Sequence, residues 1–145
     1  MHRTRALLAL PLVLLVLAAC SSSTGASAAA PSTQAATLPG TIWTVVSVGG
    51  EFVDATNPPT MDFAADGALS GTTGCNKFSG TYTVDGSKLT VSPLNMTMML
   101  CEGPVGDGEA LFAPAIQGAT AWAIDADGNL LLSGAGDILA KPSGR

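Results

Sequence analysis

The chain has 145 residues, a formal net charge of −5 and only 12% charged side chains. Removal of residues 1–19 takes away Arg3 and Arg5 and moves the charge to −7, leaving Lys77, Lys88, Lys141 and Arg145 scattered, with no basic stripe for nucleic acid or anionic lipid. The single histidine, His2, falls in that same segment, so Ser-His-Asp and Cys-His nucleophilic systems, HExxH zinc sites and ordinary histidine ligation are excluded from the mature chain.

The N-terminus reads MHRTRALLALPLVLLVLAAC. Its apolar run, residues 6–19, is broken only by Pro11 and follows two arginines; it is too short for a stable membrane span and fits the core of a secretory signal. The closing LAAC resembles the lipobox of bacterial lipoproteins. That resemblance implies a diacylglyceryl group on the Cys20 thiol and cleavage just before it, so residues 1–19 read as a lipoprotein signal peptide. The competing reading is an ordinary signal peptide cut after Ala19 or nearby, with Cys20 incidental. Residues 20–37 then form the lipidated cysteine and a Ser/Thr/Ala-rich tether, SSSTGASAAAPSTQAAT, too poor in apolar groups to order itself. As a random coil it reaches roughly 20–25 Å. The expected location is the cell membrane, lipid-anchored on the extracytoplasmic face, with membrane attachment through the lipid alone.

Residues 38–145 are one small domain's worth of chain. TIWTVVSV (41–48) alternates and is β-branched, the pattern of a strand. TMDFAA and ALSGTT flank Asp66-Gly67, GTYTV and KLTVS flank Asp85-Gly86, and AWAID and NLLLSG flank Asp127-Gly128: three hairpin signals. DILAKP supplies a last short strand, for about eight in all. Residues 106–120 differ, with Leu111, Phe112, Ala115, Ile116 and Ala119 at helical spacing, Asp107 as N-cap and Glu109 in the first turn. Pro114 predicts a helix kinked or split there. The fold class is α+β: a strongly curved antiparallel sheet or partly open barrel, with one short helix packed on or into it.

No phosphate loop or dinucleotide fingerprint is present, and no cofactor or metal is expected. Asp66, Asp85, Asp107 and Asp127 all precede glycines, where turn or cap formation outweighs carboxylate-pair catalysis. Asp125 and Asp127 match the first ligands of a calcium loop, but the rest of that pattern is missing, and a hairpin turn is the better reading. With Cys20 taken by lipid, Cys75 and Cys101 remain. Even parity in an exported chain favours a disulfide between them over a reactive thiol or a two-cysteine zinc site.

The stretch GTTGCNKFSGTYTVDGSKLTVSPLNMTMMLCEG, followed by GEALFAPAI, resembles the META domain family, also called HslJ-like or DUF306. The pattern G-x-x-G-C-N-x-[FY]-x-G-x-Y is met by Gly71, Gly74, Cys75, Asn76, Phe78, Gly80 and Tyr82. T-x-M-x-C is met by Thr97, Met99 and Cys101, and E-x-x-[FL] by Glu109 and Phe112; Trp43 matches the tryptophan that opens the domain. The departures are Met98, where a basic residue is common, and Pro114 inside the family's helix. The resemblance implies a curved antiparallel sheet around a helix, similar to secretin-pilotin lipoproteins, with structural roles for the motif residues and no defining enzymatic activity. Family members are often envelope lipoproteins linked to heat shock, drug tolerance or virulence.

The expected function is that of a non-enzymatic envelope lipoprotein, monomeric, with an accessory role in envelope stress or drug tolerance through contacts with another envelope protein. The alternative is a carrier of a small apolar or lipid ligand in a cracked-barrel cavity, lined by Met96, Met98 and Met99. Against that, the methionine run reads as a loop packed on the sheet beside the disulfide.

Overall fold

Three tight Asp-Gly turns and one strand that closes on the last define the architecture. The computed structural model describes residues 37–143; Cys20 and the rest of the signal and tether lie outside them. In chain order the elements are β1 (Thr41–Val48), β2 (Glu51–Phe52), β3 (Thr60–Phe63), β4 (Ala68–Thr72), β5 (Lys77–Asp85), β6 (Lys88–Val91), β7 (Asn95–Met96), α1 (Gly103–Gln117), β8 (Ala119–Ile124), β9 (Leu130–Gly134) and β10 (Ile138–Pro142). Eight strands form a ring in the order β1-β3-β4-β5-β6-β8-β9-β10, antiparallel throughout and closed by β10 on β1. The two-residue strands β2 and β7 attach outside the ring, to β1 and β5. The expected curved sheet with one helix is therefore a closed barrel, with two more strands than the sequence announced.

Alternation explains which residues point inward. In β5, Phe78 and Tyr82 are buried while Lys77, Ser79, Thr81 and Thr83 are exposed. In β1 the buried set is Trp43, Val45 and Val48, a change of parity. A bulge between Val45 and Ser47, opposite β10, inserts the extra residue that turns Val48 back to the core. Met61, Phe63, Leu69, Leu89, Leu130 and Leu132 complete the filling of the interior.

The antiparallel ring gives the barrel two unlike ends. At one end, β3–β4, β5–β6 and β8–β9 are joined by the three Asp-Gly turns. The Asp66 carboxylate accepts from the Ala68 N–H, and that of Asp125 from the Asp127 and Asn129 N–H groups, as short side-chain-closed turns require. The chain enters at this end, and Leu38, 0% exposed, seals it although it belongs to no strand. At the other end lie the long connections and α1. The helix touches every one of them: Gln117 exchanges hydrogen bonds with Ser92 and Leu94, Gly118 abuts Ala135, Phe112 meets Phe78, and Leu111 faces the β2 segment. α1 is the lid of that end.

The helix differs from its expected bounds. It begins at Gly103, not 106, because Glu102 takes the N-cap with extended backbone and Pro104 sits in the first turn, where its missing N–H costs nothing. Asp107 is therefore not the cap, and Glu109 lies beyond the first turn. α1 also runs through Pro114 without being split, since only its last turn follows and the Gly118 N–H bonds the Pro114 carbonyl. Its buried face is Gly108, Phe112, Ala115 and Ile116; Leu111 falls beside it, and Ala119 is buried as the first residue of β8. Among the described residues no helix is long and apolar enough to cross a membrane.

Candidate functional site

The motif residues converge at the lidded end, around the turn between β4 and β5. Thr73 closes that turn: its hydroxyl accepts from the Asn76 N–H (2.8 Å) and the Cys75 N–H (3.2 Å), and its N–H donates to the Asn76 carbonyl (2.8 Å). Gly74 has φ +94°, and a Cβ there would overlap the Asn57 carbonyl oxygen, so the position accepts only glycine. Gly71 is required for a different reason. A Cβ would collide with the Thr60 carbonyl across the β3–β4 ladder and with the Phe78 ring. Gly80 lies against the tip of Leu94.

Asn76 is the hub. It is 1% exposed and every polar atom of its carboxamide is engaged. The Oδ1 accepts from the Met99 N–H (2.7 Å) and the Thr97 hydroxyl (2.8 Å), which fixes the orientation of the amide. The Nδ2 then donates to the Met99 carbonyl (3.0 Å) and to both oxygens of Glu109 (2.9 Å each). Glu109 also accepts from the Thr73 hydroxyl (2.6 Å). Thus one amide and one carboxylate join three separate pieces of chain: the β4–β5 turn, the 97–101 segment and α1. The Cys75–Cys101 disulfide, with Cα atoms 6.1 Å apart, ties the first two covalently. Phe78 and Phe112, ring centroids 5.8 Å apart, continue the contact into the barrel.

Two motif aromatics lie elsewhere. Tyr82 packs edge-on against Phe63 (5.0 Å) and donates its hydroxyl to the Ala64 carbonyl (2.7 Å), near the turn-rich end. Burial first, then the Asp66 and Asp62 charges, push its phenol above the ordinary tyrosine value. Trp43 is buried in β1, with its indole N–H on the Thr41 hydroxyl (2.6 Å).

This geometry leaves little chemistry to the cluster. Its carboxylate and amide are consumed by each other, and both thiols are joined. Among the described residues no group of three or more metal-ligating side chains is present. Asp125 serves its turn: bonds from the Asn129 side chain and from turn N–H groups hold its carboxyl below the usual value.

What the lidded end offers outward is apolar. Met98 is 97% exposed and Leu100 90%, with Met99 more than half exposed beside them; across α1, Phe52 on β2 is 83% exposed. An open groove of about 570 Å³ runs along Leu94, Met96 and Thr97–Leu100, and another of about 340 Å³ between Phe52, Asp54, Asp107 and Leu111. The methionine run is thus divided. Met96 pairs with Phe78 on the sheet as expected, whereas Met98 and Met99 stand away from it because Asn76 and the disulfide hold the segment by its backbone. Sequence reasoning missed Leu38, Thr73, Phe52 and Leu100. Only Thr73 carried a signal, a hydroxyl residue three before an asparagine in a glycine turn.

The META domain profile matches residues 36–141, most of the chain. No curated protein matches it. Among solved structures it is similar to an NMR structure of a protein from Burkholderia xenovorans, at 23% identity over 74% of this chain and 85% of that one, TM-score 0.62. A second NMR structure matches at 26% identity over 70% and 86%, TM-score 0.56. A crystal structure of a DUF4847 family protein from Bacteroides vulgatus matches at 18% identity over 73% and 94%, TM-score 0.53. At such identities the likeness concerns the fold.

Proposed function

The chain belongs to the META domain family, and on that premise we propose that it is an exported, lipid-anchored accessory protein. In this reading it acts without catalysis, by docking another envelope protein under envelope or drug stress. One observation carries the reading. The interior is filled and the polar cluster is satisfied within itself, while Met98, Met99 and Leu100 project from a segment braced by a disulfide and a buried asparagine. A contact between proteins uses an exposed apolar lip on a rigid support and needs no hollow core. A carrier would need the hollow core, and here α1 and Leu38 close the two ends of a filled barrel. The LAAC sequence ending at Cys20 supports the anchor.

The test uses the full chain in intact cells, with a photo-crosslinking amino acid at residue 100 or, as control, at Leu131 on the barrel wall. A discrete protein adduct at 100 and none at 131 is expected. No protein adduct at 100, or equal adducts at both, would overturn docking. In the same cells Cys20→Ser should release the chain from the membrane fraction; retention there would remove the anchor.

A further inference from the structure

We propose that the lidded end is a docking face for one kind of partner: a segment of a second extracytoplasmic protein in which apolar side chains are flanked by lysine or arginine. This rests on the docking reading above and adds the chemistry of the occupant.

Exposed large apolar side chains are not spread over the described surface. Phe52, Met98, Met99, Leu100 and Leu111 all lie at the lidded end; Leu131, on the wall, is the remaining one. The outer face of α1 belongs to the same patch. A solvent-facing helix ordinarily carries charges of both signs. α1 has no basic residue, and its exposed positions include Pro104, Ala110, Leu111 and Pro114. The helix is thus a low-charge ridge between two apolar lips, the arrangement of an interface core.

The rim is acidic. Glu51, Asp54, Glu102, Asp107 and Asp137 surround the patch, and Lys77 is the one cation that the strand order places at this end among the described residues. Charge therefore discriminates between occupants. A second copy would bring two acidic rims together. An anionic bilayer would meet the same repulsion, and the tether enters at Leu38, at the opposite end. A partner with apolar anchors in a basic surround gains from both features, with the charges guiding approach and the anchors holding it.

Binding is measured on the mature full-length chain, held by its lipid in phosphatidylcholine nanodiscs. The probe is a labelled amphipathic peptide of leucine and lysine; its leucine–glutamate counterpart is the control. We expect the lysine peptide to bind and the glutamate peptide to fail. Phe52→Ser/Met98→Ser/Leu100→Ser should weaken binding by about tenfold or more, and Glu51→Gln/Asp107→Asn by a few-fold at low salt, the latter vanishing at high salt. All five side chains are exposed or at the rim, so unchanged melting temperatures are expected; Leu131→Ser should bind as the parent does.

Equal binding of both peptides, or lysine-peptide binding indifferent to the triple variant, overturns the proposal. An environment-sensitive fluorophore at residue 100 that becomes buried on phosphatidylglycerol vesicles would assign the face to the bilayer instead. A dimer in sedimentation that the triple variant dissolves would assign it to a second copy. A protein adduct at residue 100 in cells, with no lysine preference in vitro, would overturn the charge assignment and leave docking standing.

Discussion

Replacing Asn76 with aspartate exchanges one NH₂ for an oxygen at nearly constant volume, so its effect isolates the polar hub. The new oxygen sits where Nδ2 stood, 2.9 Å from both oxygens of Glu109. Two unit charges at that distance repel by about 6 kcal/mol at an effective dielectric of 20. Protonating one carboxyl at pH 7 costs only about 4 kcal/mol, from an unperturbed value near 3.9 and 1.36 kcal/mol per unit. The cheaper route wins: the pair takes up a proton, and the loss at neutral pH is about 4 kcal/mol. The pair's pKa in the folded variant is raised above its unfolded value. Its stabilising contribution is therefore present in full below about pH 4 and is lost as pH rises through the raised value. At pH 4.5 this charge part of the deficit should shrink to about 1 kcal/mol by the same arithmetic, while the lost bond to the Met99 carbonyl weighs equally at both pH values. Urea unfolding of parent and variant at pH 7 and 4.5, with the disulfide intact, reads both numbers. In Asn76→Asp/Glu109→Gln the donor and acceptor are exchanged, and at least half the loss should return. A variant within about 0.5 kcal/mol of the parent at pH 7, or a deficit equal at both pH values, would show that Asn76 and Glu109 do not bear on each other as described; such a difference is below what loss of a hydrogen bond to a charged group costs.

Three further outcomes follow from other parts of the barrel. Cys75→Ser/Cys101→Ser opens a loop between residues separated by 26 positions and should cost about 3.5 kcal/mol on the chain-entropy estimate; a loss under about 1 kcal/mol in urea unfolding would mean that the polar hub alone holds the segment. Leu38→Ala should cost about 2–5 kcal/mol, and a negligible change would deny that Leu38 seals the turn-rich end. Tyr82 is the chain's single tyrosine, so absorbance at alkaline pH titrates it directly, with a midpoint above 10 expected from its burial and from Asp66 and Asp62. Because the unfolded phenol ionises first, stability should fall as pH rises past about 10; a midpoint at or below 10 would refute the burial argument.

Local chemistry was legible and assembly was not. The Asp-Gly pairs announced three hairpins because the carboxylate and glycine act within four residues, and β1 was bounded at the residues the structure gives. The helix was misplaced by three residues because Gly103 and Pro104 read as loop until Glu102 is seen to adopt the N-cap conformation. Leu38 opens the domain outside every predicted strand; only the closed ring shows that it fills an end. The motif residues were recognisable singly, but no spacing rule joins Asn76 to a glutamate 33 positions later. The exposed lip was least legible of all, since an apolar run in sequence ordinarily means burial and Met98 reverses that only because the backbone on each side is pinned.

Closure of the ring also orders events in time. The pairing of β1 with β10 sets Trp43 against Pro142, from opposite ends of the domain, whereas β3 to β6 form a meander of neighbours. Local pairings form before distant ones, because the entropy of closing a long loop must be met first. During synthesis, β1 emerges early and waits with one edge unpaired until residues 138–142 arrive. In that interval the nascent chain is an open, sticky sheet, vulnerable to neighbours and proteases alike. The step that completes the barrel is also the step that hides this edge, so anything delaying β10 lengthens the time the chain spends exposed.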